Sequence, residues 1–168
     1  MDLLPGLKQL EGQLGQTSDE LSVHKGKLED LMLRAQKISA AAKKNMPNPD
    51  PMYGYDLRNC RRDLRAFGLE FTAMPRLLGM LERMAVYDLE AGKSATSVMR
   101  ACSRVSNALK ALHDEAMLNH QHVHDPELKI ISGYISQEIE EMAQMGMSLP
   151  AIANKIVIIA TTTPPNAR

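Results

Sequence analysis

Between Leu3 and Ala42, side chains that are apolar or small apart from His24 recur in alternating steps of four and three: Leu3, Leu7, Leu10, Leu14, Thr17, Leu21, His24, Leu28, Leu31, Ala35, Ile38 and Ala42. A mean step of 3.5 residues keeps one stripe facing one partner, which is the pattern of a coiled-coil seam. It predicts a helix over residues 1–44, roughly 60 Å long at 1.5 Å per residue. A compact bundle of this mass needs less, so the spacing predicts a long, protruding heptad arm. Leu7, Leu10, Leu14, Leu21, His24, Leu28 and Leu31 are then candidate residues of an interface with a partner or a second copy. Gly12 and Gly15, followed by the capping-box pattern Thr17-Ser18-Asp19-Glu20, offer a competing reading in which one helix ends and another begins. The unbroken heptad phase favours continuity.

Proline at 47, 49 and 51 disfavours helix in the residues before each and predicts an extended connector over 45–55. Asp56 then reads as an N-cap, and Leu57, Cys60, Leu64, Phe67, Phe71, Met74, Leu78, Leu81 and Ala85 resume the three-four spacing. Pro75 lies within this second stripe and predicts a kink or break near Thr72, because it lacks an N–H and clashes with the preceding turn. Gly92, Ser94 and Thr96 mark the next turn. A third stripe follows on Val98, Cys102, Val105, Leu109, Leu112 and Ala116.

The segment His120 to His124 reads as a turn before Asp125-Pro126, an N-cap with proline at the first helical position. Leu128, Ile131, Ile135, Ile139 and Met142 form the fourth stripe, which Gly146 and Ser148-Leu149-Pro150 punctuate ahead of a short helix from Ala151 to Ala160. Only the β-branched run from Ile156 to Ile159 competes as strand. The polar, proline-bearing residues 161–168 read as a disordered tail. The expected fold is all-α: an antiparallel bundle of four main helices plus a short C-terminal one, with residues 56–160 forming the bundle behind the N-terminal arm.

Composition narrows the function classes. A chain of 168 residues is large enough for one sizeable core. Lys plus Arg equals Asp plus Glu at 20 each, so nucleic acid or an anionic surface could be attracted only by a local patch. Residues 1–6 lack the basic and apolar pattern of a signal peptide, and no apolar run is long enough to span a bilayer, so no membrane span and a cytoplasmic location are expected. Twelve Met and no Trp favour either an adaptable core or a surface that accepts varied partners, the core reading being the simpler.

Four arginines, Arg58, Arg61, Arg62 and Arg65, recur at i, i+3, i+4 and i+7, which places them on one stripe of the second helix. Guanidinium forks grip phosphate and carboxylate, so this stripe is the candidate for anion or nucleic-acid binding, with Lys43 and Lys44 able to extend it. The plainer reading is a solvated face paired with Asp63, Glu70 or the Glu138, Glu140 and Glu141 cluster. His113, His120, His122 and His124 are the one candidate metal set, since alternate histidines in extended chain project to one side. The favoured reading is a chance collection of polar residues in a turn, with no cysteine to complete a common structural zinc pattern.

His24 on the seam either fixes register or rests at a solvent-accessible edge; at a homotypic interface its protonation below roughly pH 6.5 would loosen the assembly. Cys60 and Cys102 occupy stripe positions and read as small buried hydrophobes. Hydrolase, metalloprotease, P-loop and di-iron motifs are absent, and no cofactor is expected. The expectation is a non-enzymatic coiled-coil scaffold acting by protein–protein interaction or homo-oligomerisation, with nucleic-acid binding as the alternative.

Overall fold

The computed structural model describes residues 3–72, 76 and 91–162. Among the described residues there are four helices and no strand: α1 (Leu3–Lys43), α2 (Tyr53–Phe71), α3 (Ala91–His122) and α4 (Pro126–Thr162). The chain is an all-α bundle.

The heptad reading of α1 holds through its glycines. Thr17 does not cap a new helix; its hydroxyl donates back to the Gln13 carbonyl at 2.9 Å, a bond compatible with uninterrupted helix. Leu14, Thr17 and Leu21 are all buried, so tertiary packing holds the segment where two glycines weaken it. The helix ends in a Schellman motif. Asn45 adopts a left-handed φ of 55°, the Met46 N–H donates to the Ala41 carbonyl at 2.9 Å, and the Asn45 N–H donates to Ala42 at 3.1 Å.

Helix α2 begins earlier than its sequence suggests. It starts at Tyr53, with Met52 at the N-cap position making no side-chain cap, so Asp56 lies in the first turn instead of capping it. Burial of Tyr53 accounts for the earlier start, because the ring needs the inward position of the first turn. The helix stops at Phe71 with Thr72 as C-cap, where Pro75 predicts a break. Met74, Leu78, Leu81 and Ala85 lie outside the described residues.

Two expected turns are helical. Gly92, Ser94 and Thr96 lie inside α3, and that helix runs on through His120 and His122. Only residues 123–125 join it to α4, whose start is as predicted: Asp125 Oδ1 accepts from the backbone N–H groups of Glu127 and Leu128, both at 3.0 Å, with Pro126 at the first helical position. Residues 151–160 are helical and continue α4 across Pro150 without interruption.

The stripes meet in one core. Leu7, Leu10, Leu14, Leu21, Leu28, Leu57, Leu64, Phe71, Val105, Leu109, Leu112, Ile135 and Ile139 are each at most 1% exposed. Helix α1 packs on α3 and α2, and α4 packs on α3 and α2. Each hairpin is antiparallel, and the two hairpins lie side by side. Thus α1 and α3 run in the same direction: Leu14 and Gly15 share a groove with Ala101 and Arg104 near one end, and Gln36 meets His122 near the other. The N-terminal helix is consequently a wall of the bundle and not a protruding arm.

At the connector end, one residue ties three segments together. Arg34 of α1 donates to Asp50 Oδ1 at 3.0 Å and to Asp56 Oδ2 at 2.8 Å, and lies 5.7 Å from the Tyr53 ring centroid. Its hydrogen bonds hold the Asp50 carboxyl below its ordinary pKa and raise that of the guanidinium. The Tyr53 hydroxyl in turn donates to Asn119 Oδ1 of α3 at 3.2 Å, and burial pushes its pKa up to about 12.

Candidate functional site: the outer crest of the second helix

With Tyr53, Leu57, Cys60, Leu64, Phe67 and Phe71 turned into the core, helical geometry fixes the opposite crest of α2. It carries Tyr55, Arg58, Arg62, Arg65 and Leu69 over roughly 20 Å. Tyr55 is 60% and Leu69 71% exposed, both well out in solvent for large apolar or aromatic side chains.

The four predicted arginines divide. Arg61 turns toward α4, where Nε lies 3.6 Å from Glu138 Oε1 and the guanidinium carbon sits 4.5 Å from the Tyr134 ring centroid. Arg61 Nε and Glu138 Oε2 lack hydrogen-bond partners, so this is a long ion pair reinforced by a cation–π contact. Burial pushes the Glu138 carboxyl above its usual range, and the charges of Arg61 and Arg65 oppose that shift. Arg58 donates to Glu127 Oε1 at 2.8 Å across the α2–α4 boundary, with both side chains well exposed. Arg62 and Arg65 are exposed and make no hydrogen bond or ion pair among the described residues. Half of the stripe is therefore a structural seam to α4, as the paired reading anticipates, and half is open.

The N-terminal interface candidates sit elsewhere. Leu7, Leu10, Leu14, Leu21, His24, Leu28 and Leu31 are between 0% and 9% exposed, covered by the chain's own helices. The seam's apolar surface is thereby consumed within one chain. His24 packs against Phe67, with ring centroids 5.3 Å apart, and its Nδ1 is buried without a hydrogen-bond partner. Burial and the charge of Lys27 lower its pKa, with Asp63 acting the other way. It is a core histidine of the α1–α2 contact, so neither register between copies nor a solvent-accessible edge describes its position.

The histidine set does not converge. Because α3 continues through His122, consecutive alternate positions diverge by about 200° around the axis instead of projecting to one side. His120 Nδ1 lies 2.7 Å from Ser132 Oγ, His122 Nε2 lies 3.3 Å from Gln36 Nε2, and His113 and His124 stand apart from both contacts. Among the described residues no three His, Cys, Asp or Glu side chains gather in a way that could hold a metal ion. Burial pushes the Cys60 thiol up to about 11 and the Cys102 thiol up to about 12, so both are protonated, packed hydrophobes near neutral pH.

In sequence the chain matches no family model and no curated protein, and no solved structure matches it. No helix among the described residues is long and apolar enough to cross a membrane. Tyr55 and Leu69, which complete the crest, are invisible to a search for charge runs; only placing the buried stripe first and reading what lies opposite it brings them out.

Proposed function

We propose that the protein is a non-enzymatic helical interaction protein that docks onto a protein partner through the outer crest of α2, the seam of α1 serving as its own core. The supporting observation is the pair of exposed guanidinium groups, Arg62 and Arg65, which make no hydrogen bond or ion pair among the described residues and are set between exposed Tyr55 and Leu69. Tyrosine and arginine supply much of the binding energy at protein interfaces, and an arginine fork recognises carboxylates bidentately. The partner surface that fits is acidic at its centre with an apolar position toward each end. Nucleic acid is the second reading, favoured by the same arginines. It is weaker because the crest holds a single aromatic ring for stacking and Arg58 is already shared with Glu127.

The test compares wild type with the triple variant Arg62→Glu/Arg65→Glu/Leu69→Ser, by light scattering and by titration with a glutamate-rich peptide and a single-stranded oligonucleotide. Docking on an acidic partner predicts peptide binding that weakens with salt and disappears in the variant. Stronger binding of the oligonucleotide favours the second reading. A monodisperse 18.6 kDa protein that binds neither probe and is unchanged by the substitutions would sink both.

A further inference from the structure

Beside the α2 crest lies a second exposed face, on α4. The two helices run in the same direction, because successive contacts advance along both together: Gly54 opposes Leu128, Arg58 reaches Glu127, Arg61 meets Tyr134 and Glu138, and Gly68 opposes Met142. Each residue of one helix therefore has a counterpart at its own height on the other. Tyr55 stands level with Ile130, and Arg62 and Arg65 stand level with the stretch from Gln137 to Glu141.

The α4 face has the opposite charge. Ile135, Ile139 and Met142 are buried, so helical geometry turns Ile130, Tyr134, Gln137 and Glu141 outward. Ile130 is 58% and Tyr134 45% exposed, and Glu140 and Glu141 are exposed with no hydrogen bond or ion pair among the described residues. Arg65 and Glu141 both act electrostatically on Glu138, which places the basic centre of one crest beside the acidic centre of the other. One face of the bundle thus carries both halves of a complementary surface at matching heights.

From this juxtaposition we infer that the partner of the α2 crest is a second copy of this chain, in a two-fold dimer with parallel helices. A half-turn about an axis parallel to the helices and midway between the crests lays α2 of one chain on α4 of the other and leaves every residue at its own height. Tyr55 then meets Ile130 of the second copy, Arg62 and Arg65 meet its Glu140 and Glu141, and the same contacts form reciprocally. An axis across the helices lays α2 on α2 instead and sets arginine against arginine, which like charge disfavours. The inference rests on the crest reading above and names its partner. With crests about 20 Å long set about 10 Å apart, the covered face is small for a specific interface, so the dimer is expected to dissociate in the micromolar range and to weaken with salt.

The test is sedimentation equilibrium of the full chain from about 5 to 500 μM at low salt. Wild type is expected to pass from 18.6 kDa to twice that mass as concentration rises, and about 0.5 M salt is expected to raise the midpoint at least about tenfold. The variants Arg62→Glu/Arg65→Glu and Glu140→Arg/Glu141→Arg, which alter exposed side chains only, are each expected to remain monomeric with unchanged helical circular dichroism. Mixed one to one, they pair an all-acidic with an all-basic face, and the dimer is expected to return. If one variant fails to fold, the salt response and the other variant decide. Wild type that stays monomeric throughout overturns the inference; arginine-dependent binding of the glutamate-rich peptide would then leave the crest reading standing with a different partner, and its absence would remove both. A dimer that ignores salt, a dimer that persists in a folded variant, or a mixture of folded variants that stays monomeric also overturns it.

Discussion

The inner stripe of α1 and the outer crest of α2 are both written in three-four spacing, yet one is sealed and the other is open. On α1 the repeated residue is leucine, and the stripe disappears against α2 and α3. On the α2 crest the repeat is arginine bracketed by Tyr55 and Leu69, and Arg62 and Arg65 are exposed without a hydrogen bond or ion pair among the described residues. Periodicity locates a face of a helix; the residue chemistry decides whether that face stabilises the fold or is available to something else.

The sharpest way to break this contrast is to exchange leverage between the two faces. Leu28→Ala removes a side chain that is 0% exposed and should cost about 2–5 kcal/mol in a urea titration, without any change in molecular mass before unfolding. A lower mass in a still-folded Leu28→Ala protein would return the seam to the role of an interface between copies. Gly146→Ala should cost about 1–3 kcal/mol, because the added Cβ would stand 2.4 Å from Leu109 Cδ1 in a packed interior. Leu109→Ala introduced alongside should recover part of that loss relative to Leu109→Ala alone.

Acid should loosen the same interior. The folded pKa of His24 is lowered below its unfolded value near 6.5, so the unfolded chain binds the proton more readily. The stability associated with neutral His24 is complete above pH 6.5 and falls away as pH drops from 6.5 through the folded value. His120, lowered by burial and by Lys129, acts with the same sign. His24→Leu should reduce the slope between pH 7 and 5 and, by removing a buried unpaired nitrogen, raise the unfolding free energy at pH 7 by about 1 kcal/mol. An unchanged slope would mean that His24 is not the group responsible.

Outward positions should respond in the opposite way or hardly at all. Gly12, Gly15 and Gly26 have open space where a Cβ would go, so alanine at each should stabilise by about 0.5–1 kcal/mol through helix propensity alone. Arg62→Glu and Leu69→Ser should change the unfolding free energy by no more than about 0.5 kcal/mol, measured by the same urea titration. A larger loss would show that the crest supports the fold.

Much of the architecture is legible because it is local. Heptad phase identifies the core faces, Asp125-Pro126 marks the start of α4 through bonds within a single turn, and Pro75 is followed back to a helix end at Thr72. What escapes is tertiary. Nothing near Arg34 in the chain announces that it will hold Asp50 and Asp56, and Asp56 therefore imitates a cap that it does not form. Asn45 imitates ordinary connector, although its tolerance of a left-handed backbone ends α1. The histidines mislead for a related reason: the stretch at the end of α3 is polar enough to read as turn, but Val123 and Asn119 are buried and draw the helix onward. Of the candidate surface, the arginine spacing is legible, whereas the commitment of Arg58 and Arg61 to α4 depends on how the hairpins dock.

That side-by-side docking also bears on how the chain reaches its native state. The α3–α4 hairpin closes across residues 123–125 and can form early, its contacts being near neighbours in the chain. The α1–α3 contact unites Leu14 with Ala101, residues far apart along the chain, and its loop-closure entropy must be overcome before α1 gains its second wall. The order expected is hairpins first and their union last, with Leu14 and Leu21 influencing the folding rate less than Leu112 and Ile135. The leucine seam that looks like an invitation to another molecule is, in time, the surface that waits longest for its own chain.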